Sequence, residues 1–130
     1  MKISLVLATI NRQKEVELFC ESLVHQTYRN FELIIVDQNQ DARLEGIITT
    51  FKKDYELIYI KCNQKGLSLA RNIGLSYATG TLVAFPDDDC KYYNDTLNSV
   101  VFQFKNNPSL VMCAGRIVEE DGENIIRRWK

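Results

Sequence analysis

The sequence predicts an α/β domain built on a mostly parallel sheet with helices on both faces. Three observations carry this. Short aliphatic runs alternate with stretches whose apolar residues recur at i, i+3, i+4 and i+7, giving the order β-α-β-α-β-α-β-α-β. The first run, Ile3-Ser4-Leu5-Val6-Leu7-Ala8, is aliphatic on both parities, as an interior strand covered on both faces requires. Polar residues follow each aliphatic run directly, and right-handed crossovers bring such residues together at the carboxyl edge of a parallel sheet.

The elements follow in order. After the first strand, Val16, Phe19, Cys20 and Leu23 share one face, with Lys14, Glu15, Glu17 and Glu21 elsewhere, predicting a helix over 13–26. Glu32-Leu33-Ile34-Ile35-Val36 is the second strand and runs into the polar Asp37-Gln38-Asn39-Gln40-Asp41. Leu44, Ile47, Ile48 and Phe51 repeat the helical spacing over 42–53, and Glu56-Leu57-Ile58-Tyr59-Ile60-Lys61 is the third strand. A helix over 66–78 carries Leu69, Ala70, Ile73 and Tyr77 on one face, with Ser68 expected as its N-cap and Gly80 as its stop. The fourth strand covers 81–86. A further helix begins at Asp95 or Thr96, buries Leu97, Val100, Val101 and Phe104, and ends at Asn107-Pro108. Residues 110–118 read as a fifth strand, and Asp121-Gly122 as a turn into Ile125-Ile126. Residues 1–130 are expected to form a single domain whose sheet stops after about five strands. Trp129 has no evident place to be buried, so the chain is expected to be the front part of a longer protein.

Composition narrows the function. With 16 basic and 17 acidic residues the net charge is -1, which excludes a general nucleic-acid or membrane-surface binder. The apolar run over 3–10 lacks a cleavage site and reads as a strand, and no stretch approaches the ~20 apolar residues of a membrane span. The four cysteines (Cys20, Cys62, Cys90, Cys113) are irregularly spaced without a C-x-x-C pair, as expected of reduced structural thiols. His25 has no partner histidine for a metal and is expected as a surface residue at a helix C-terminus.

The chemistry gathers at the carboxyl edge. Thr9, Asn11 and Arg12 follow the first strand, and Asp37 and Gln38 the second. Asn63, Lys65 and Gly66 follow the third, and Asp87, Asp88 and Asp89 the fourth. Three adjacent carboxylates repel unless a cation or donors sit among them. Hard divalent ions such as Mg²⁺ use one or two carboxylates together with substrate phosphates, so the triplet points to a metal and phosphate site; a solvated acidic loop is the competing reading. Arg12 and Arg71 are the basic groups placed to meet phosphates, Arg71 near a helix start that itself favours anions. The region after the first strand has no G-x-G-x-x-G and no P-loop, Asp87-x-Asp89 then Lys91 breaks the EF-hand pattern, and no G-x-S-x-G elbow is present.

Four segments carry a resemblance. They are the run from Ser4 through Ala8 into Thr9-Ile10-Asn11-Arg12; Gln26-Thr27-Tyr28 with Phe31-Glu32-Leu33-Ile34-Ile35-Val36-Asp37; Asn63-x-x-Gly66-Leu67-Ser68-x-Ala70-Arg71-Asn72-x-Gly74; and Phe85-Pro86-Asp87-Asp88-Asp89. In this order and spacing the chain resembles the N-terminal part of family 2 glycosyltransferases. These are inverting enzymes of the Rossmann-like GT-A fold that move a sugar from a nucleotide-sugar to an acceptor. The resemblance implies that Thr9, Asn11, Arg12, Asn63, Gly66 and Asp87 border the nucleotide-sugar, that Asp37 and Gln38 lie by base and ribose, and that Arg71 lies toward the diphosphate. Asp87-Asp88-Asp89 matches the D-x-D element, with Asp88 toward the ribose and Asp89 toward Mg²⁺ or Mn²⁺.

The resemblance also implies a UDP-, dTDP- or GDP-sugar donor and a saccharide or lipid-linked saccharide acceptor, as in polysaccharide biosynthesis. A cytoplasmic location is implied, with membrane association only through segments outside this chain. Two positions depart from the family: Gln38 stands where a second aspartate is usual, leaving the base open, and Cys90 where another acid is common. The catalytic residue is unknown. The general base is expected beyond residue 130, Glu119, Glu120 and Asp121 being the late acids at hand. The competing function is a nucleotide- and metal-binding module without activity of its own. A nucleotidyl transferase on a related fold is weakened by the missing glycine-rich loop.

Overall fold

A computed structural model describes residues 1–119 and 125–127. The elements are β1 (Ile3–Thr9), α1 (Lys14–Val24), β2 (Phe31–Asp37), α2 (Glu45–Phe51), β3 (Glu56–Lys61), α3 (Leu67–Leu75), β4 (Leu82–Ala84), α4 (Thr96–Asn106), β5 (Ile117–Val118) and β6 (Ile125–Arg127). The chain divides into two compact units, residues 1–99 and 100–130.

In the first unit, β3-β2-β1-β4 form one sheet with every pairing parallel. β1 runs alongside all of β2, from Ile3 opposite Phe31 to Thr9 opposite Asp37. Both strands are buried on both parities, as the aliphatic pattern predicts. On one face Val6, Ile34 and Val36 pack with Cys62 and Ala70, and Ile73 joins them from α3. Gly74 permits this approach, because a methyl there would collide with Val6 and press on Val36. On the other face Leu5, Leu7, Leu33 and Ile35 are equally buried, while α1 and α2 contribute the buried Val16, Phe19, Cys20, Leu23, Ile47 and Phe51. Each such side chain contributes about 1.5–3 kcal/mol on full burial, so this double-sided centre dominates the stability of the unit.

The amino edge is pinned by a buried charge. Glu32 is fully buried and accepts Ser4 Oγ at 2.6 Å, the Thr79 N–H at 2.7 Å and Thr79 Oγ1 at 3.0 Å, with Lys2 Nζ 3.0 Å away. Burial alone would push this carboxyl up. The bonds from Ser4, Thr79 and Lys2 outweigh burial and hold it at about 2. Ser4 Oγ in turn accepts the Gly80 N–H at 2.8 Å. Gly80 is therefore the seat of β4 against β1 and not the stop of α3, which ends at Leu75 with Ser76 as C-cap.

Other expectations need correction. Ser68 is not an N-cap; α3 starts from Gly66, whose φ of 145° turns the chain in a region that favours glycine, and Ser68 lies inside the helix. The helices are shorter than their periodicity, since capping and turn residues such as His25 and the Asp41–Arg43 pair take the ends. The fifth strand does not span 110–118. Residues 110–116 pair with no strand among the described residues, and Val111 and Met112 are 94% and 79% exposed. Only β5 forms, antiparallel to β6. The expected turn at Asp121-Gly122, the acid Glu120 and the side chain of Trp129 lie outside the described residues. Among those described, all four cysteines are free, and no helix is long and apolar enough to cross a membrane.

Candidate functional site

The strand order reverses at β1, with β2 on one side and β4 on the other. A crevice at the carboxyl ends of such strands is where open parallel sheets take ligands. There Thr9 Oγ1, at the end of β1, donates to Asp88 Oδ2 at 2.8 Å. Arg12 reaches the same loop: its Nε lies 3.1 Å from Asp88 Oδ1 and its Nη2 lies 3.5 Å from Asp89 Oδ2. Between them Asn11 adopts a φ of 59°, a left-handed conformation that asparagine tolerates, and its N–H donates to Asn39 Oδ1 at 2.7 Å. Burial raises the Asp88 carboxyl above its ordinary value, with Asp89 adding to the rise; the Thr9 hydrogen bond and Arg12 oppose it.

A second group forms around α3. Arg71 Nη2 lies 3.7 Å from Asp87 Oδ1, and its guanidinium stands 5.5 Å from the Phe85 ring centroid. Its Nε is buried without a hydrogen-bond partner, the one such side-chain atom among the described residues. The first N–H groups of α3 have no acceptor within the helix, so donors and positive charge gather at this edge.

The third group is the loop after β2. Asp37 is fully buried. Its Oδ2 accepts Tyr59 Oη at 2.5 Å and Lys61 Nζ at 3.0 Å, while its Oδ1 accepts the Asn39 N–H and Nδ2, each at 2.8 Å. Burial and the Asp37 carboxylate together push the Tyr59 hydroxyl well up. Gln38 Oε1 accepts the Gly66 N–H at 2.8 Å, tying this loop to the start of α3. Asn63 is exposed, and its carbonyl accepts the Gln40 amide at 3.5 Å.

The acidic loop has an anchor that the sequence reading missed. Gln26 donates to the Tyr93 carbonyl at 2.7 Å and accepts the Leu97 N–H at 3.1 Å, and the Thr27 N–H donates to the Asn94 carbonyl at 2.8 Å. Phe19 and Tyr92 meet edge to face at 5.2 Å. The Gln26-Thr27 dipeptide thus holds the segment that follows Asp89. Tyr59, Lys61, Asn39 and Phe85 were also missed. Tyr59 and Lys61 gave a signal, being polar-tipped residues two apart on β3 beside Asp37 in register.

Among the described residues no three His, Cys, Asp or Glu side chains converge into a metal cage. Asp88 and Asp89, one carboxylate pair with Arg12 as counter-ion, suit a hard divalent ion only if the ligand brings further oxygens.

Fold and edge together define a class: this is the GT-A fold of glycosyltransferases. The TarS 1-349 structure from S. aureus, solved in complex with UDP-GlcNAc, superposes with a TM-score of 0.77 at 21% identity, covering 92% of this chain and 39% of that one. Mannosyltransferase PcManGT from Pyrobaculum calidifontis, in complex with GDP-Man and Mn2+, gives a TM-score of 0.72 at 23% identity over 78% of this chain and 32% of that one. The sequence matches the profile of Glycosyl transferase family 2 over residues 4–130, and the chain belongs to that family. It is 31% identical over 124 residues, 92% of its length, to the glucosyl-dolichyl phosphate glucuronosyltransferase of Haloferax volcanii. It is 28% identical over 93% of its length to the GalNAc(5)-diNAcBac-PP-undecaprenol beta-1,3-glucosyltransferase of Campylobacter jejuni. The chain spans 39% and 40% of the lengths of these two relatives.

Proposed function

We propose that this chain is the donor-binding part of an inverting glycosyltransferase that takes a nucleotide-diphosphate sugar with a divalent cation, Mg²⁺ or Mn²⁺. The observation that supports this most is the cluster of Thr9, Asp88, Arg12 and Asp89 where the strand order reverses, with Arg71 beside Asp87. In this reading Asp89 holds the cation and Asp88 faces the ribose. A cation there supplies Lewis-acid neutralisation of the departing nucleoside diphosphate. Arg12, which balances Asp88 and Asp89 when no ligand is bound, turns its guanidinium to phosphate oxygens. Arg71, its Nε already without a partner, does the same from α3. Exchange of one set of ion pairs for another keeps the local charge nearly balanced.

Asp37 supports the site from beneath, its carboxylate saturated by Tyr59, Lys61 and Asn39. Thr9, Asn11, Gln38, Asn63 and Gly66 form the neutral rim. The general base that removes the acceptor's proton lies outside residues 1–130 in this reading. A saccharide or lipid-linked saccharide acceptor and a cytoplasmic location are proposed with it; two relatives carry names with dolichyl phosphate and PP-undecaprenol. The test is a thermal-shift titration with UDP, dTDP and GDP, each with and without Mn²⁺. Stabilisation by at least one nucleotide, enlarged by Mn²⁺, is the expected result; no stabilisation by any would overturn the reading.

A further inference from the structure

Asn11 is the one non-glycine among the described residues with a positive φ, 59°, and it is exposed, so side-chain packing does not hold its backbone in the left-handed region. A side chain from the next loop does. Asn39 is 3% exposed, and its Oδ1 accepts the Asn11 N–H at 2.7 Å. Its Nδ2 and its own N–H both donate to Asp37 Oδ1, each at 2.8 Å. A backbone N–H only donates and an ionised carboxylate only accepts, so these neighbours allow the carboxamide one orientation. Asp37 is a stiff mount for it, being fully buried and held on its other oxygen by Tyr59 and Lys61 of β3. The Gln38 N–H donates to the Thr9 carbonyl at 3.0 Å. The loop after β2 therefore grips the chain on both sides of Ile10, and Arg12 is the next residue out of that bend.

The aim given to Arg12 matters because its ion pairs do not fix it. Its side chain is 39% exposed, and Glu15 offers a competing carboxylate 3.9 Å away, beside Asp88 at 3.1 Å and Asp89 at 3.5 Å. An exposed ion pair gains little over the entropy of the side chains it holds, so the backbone from which the guanidinium starts decides where it rests. The bonds of Asn39 go to Asp37 and Asn11 and not to the acidic triplet. We infer that Asn39 is a positioning residue, holding the bend at Asn11 so that Arg12 lies across Asp88 and Asp89 and has to be displaced by an entering cation. Its consequence for binding rests on the nucleotide-donor reading above, whereas the placement of Arg12 is measurable without a ligand. With the Asn39 side chain gone, the Asn11 N–H loses its acceptor and the left-handed bend its hold, and Arg12 spreads toward Glu15 and solvent. The acids then lie open to a cation, while the phosphates of a nucleotide lose a poised donor. The two affinities move in opposite directions, as removal of Arg12 itself would move them.

Wild type, Asn39→Ala, Arg12→Gln and the double variant are compared well below their thermal transitions. Mn²⁺ alone is titrated by electron paramagnetic resonance, and UDP, dTDP and GDP by calorimetry in Mn²⁺. Solvent exchange of the Arg12 Nε–H is followed by ¹⁵N magnetic resonance, its signal identified by its absence in Arg12→Gln. Asn39→Ala is expected to bind Mn²⁺ about two- to fivefold tighter and the best-bound nucleotide about three- to tenfold more weakly, and to speed exchange of the Arg12 Nε–H. In the Arg12→Gln background the same substitution is expected to change neither affinity, which is the coupling that a residue acting through Arg12 must show. Equal effects in both backgrounds would overturn the inference, marking Asn39 as a support of Asp37 alone. Unchanged affinities, or both moving the same way, would overturn it as well. Should Asn39→Ala fail to fold, Asn39→Ser, whose hydroxyl falls short of the Asn11 N–H, replaces it under the same criteria. Wild type binding neither Mn²⁺ nor any nucleotide would remove the donor-site reading itself. Exchange of the Arg12 Nε–H then decides on the positioning alone: faster exchange in Asn39→Ala supports it, and unchanged exchange overturns it.

Discussion

Thr9 Oγ1 donates a 2.8 Å hydrogen bond to Asp88 Oδ2, joining the end of β1 to the loop after β4 where the sheet reverses its strand order. The bond orients one carboxylate of the triplet and leaves its neighbours free to differ from it. Thr9→Val keeps the shape and removes the donor. It is expected to cost about 1 kcal/mol of stability and to weaken nucleotide binding in Mn²⁺ about tenfold, with Thr9→Ser restoring most of the affinity. Chemical denaturation and calorimetry check the two effects separately.

Arg12 occupies the place of a counter-ion, 3.1 Å from Asp88 and 3.5 Å from Asp89. Its removal in Arg12→Gln leaves the acids less compensated. Mn²⁺ alone is then expected to bind about two- to fivefold tighter, as befits a partly exposed ion pair. The nucleotide binds more weakly, having lost a phosphate donor. Mn²⁺ titration followed by electron paramagnetic resonance, with and without nucleotide, reads both changes; movement in the same direction would contradict the exchange of ion pairs.

Asp89 is more exposed than Asp88, 53% against 17%, and meets Arg12 at the longer distance of 3.5 Å, which leaves it the freer carboxylate for a cation. Asp89→Asn is expected to abolish the Mn²⁺-dependent part of the nucleotide thermal shift while sparing the metal-free part. An unchanged response to Mn²⁺ would show that Asp89 is not a ligand.

Glu32 supplies a pH dependence remote from the ligand edge. Its carboxyl is held at about 2, below its ordinary 4.5. A depressed carboxyl contributes stability that is fully present above the unfolded value and is lost as pH falls through the folded one. Stability should therefore decline between about pH 4.5 and 2. Glu32→Gln removes the charged acceptor that Ser4, Thr79 and Lys2 share, Lys2 keeping its pair with Glu56, and is expected to cost about 1–3 kcal/mol at neutral pH, with a flatter acid limb in denaturation measured across that range.

Much of the unit 1–99 is legible in the sequence because its signals are local. Both-parity aliphatics at β1 and β2 announce a sheet covered twice, and the i, i+3, i+4, i+7 spacing of Val16, Phe19, Cys20 and Leu23 gives the buried side of α1. Strand pairing is less legible where strands are short: residues 110–118 have a strand's composition, yet only Ile117–Val118 finds a partner. Ser68 has the right chemistry for a cap, but the backbone of Gly66 starts the helix first.

The sequence by itself determined the class of fold, its family and the set of side chains delivered to the carboxyl edge, since periodicity and motif order are properties of neighbours along the chain. Only the tertiary structure decided how those side chains divide the work. Asp37 is spent on Tyr59, Lys61 and Asn39, Arg12 lies across Asp88 and Asp89, and Gln38 has its oxygen taken by Gly66. Apart from the local Asp37–Asn39 contact, each of these depends on atoms from separate strands and loops meeting within about 3–3.5 Å, and no local pattern encodes that meeting.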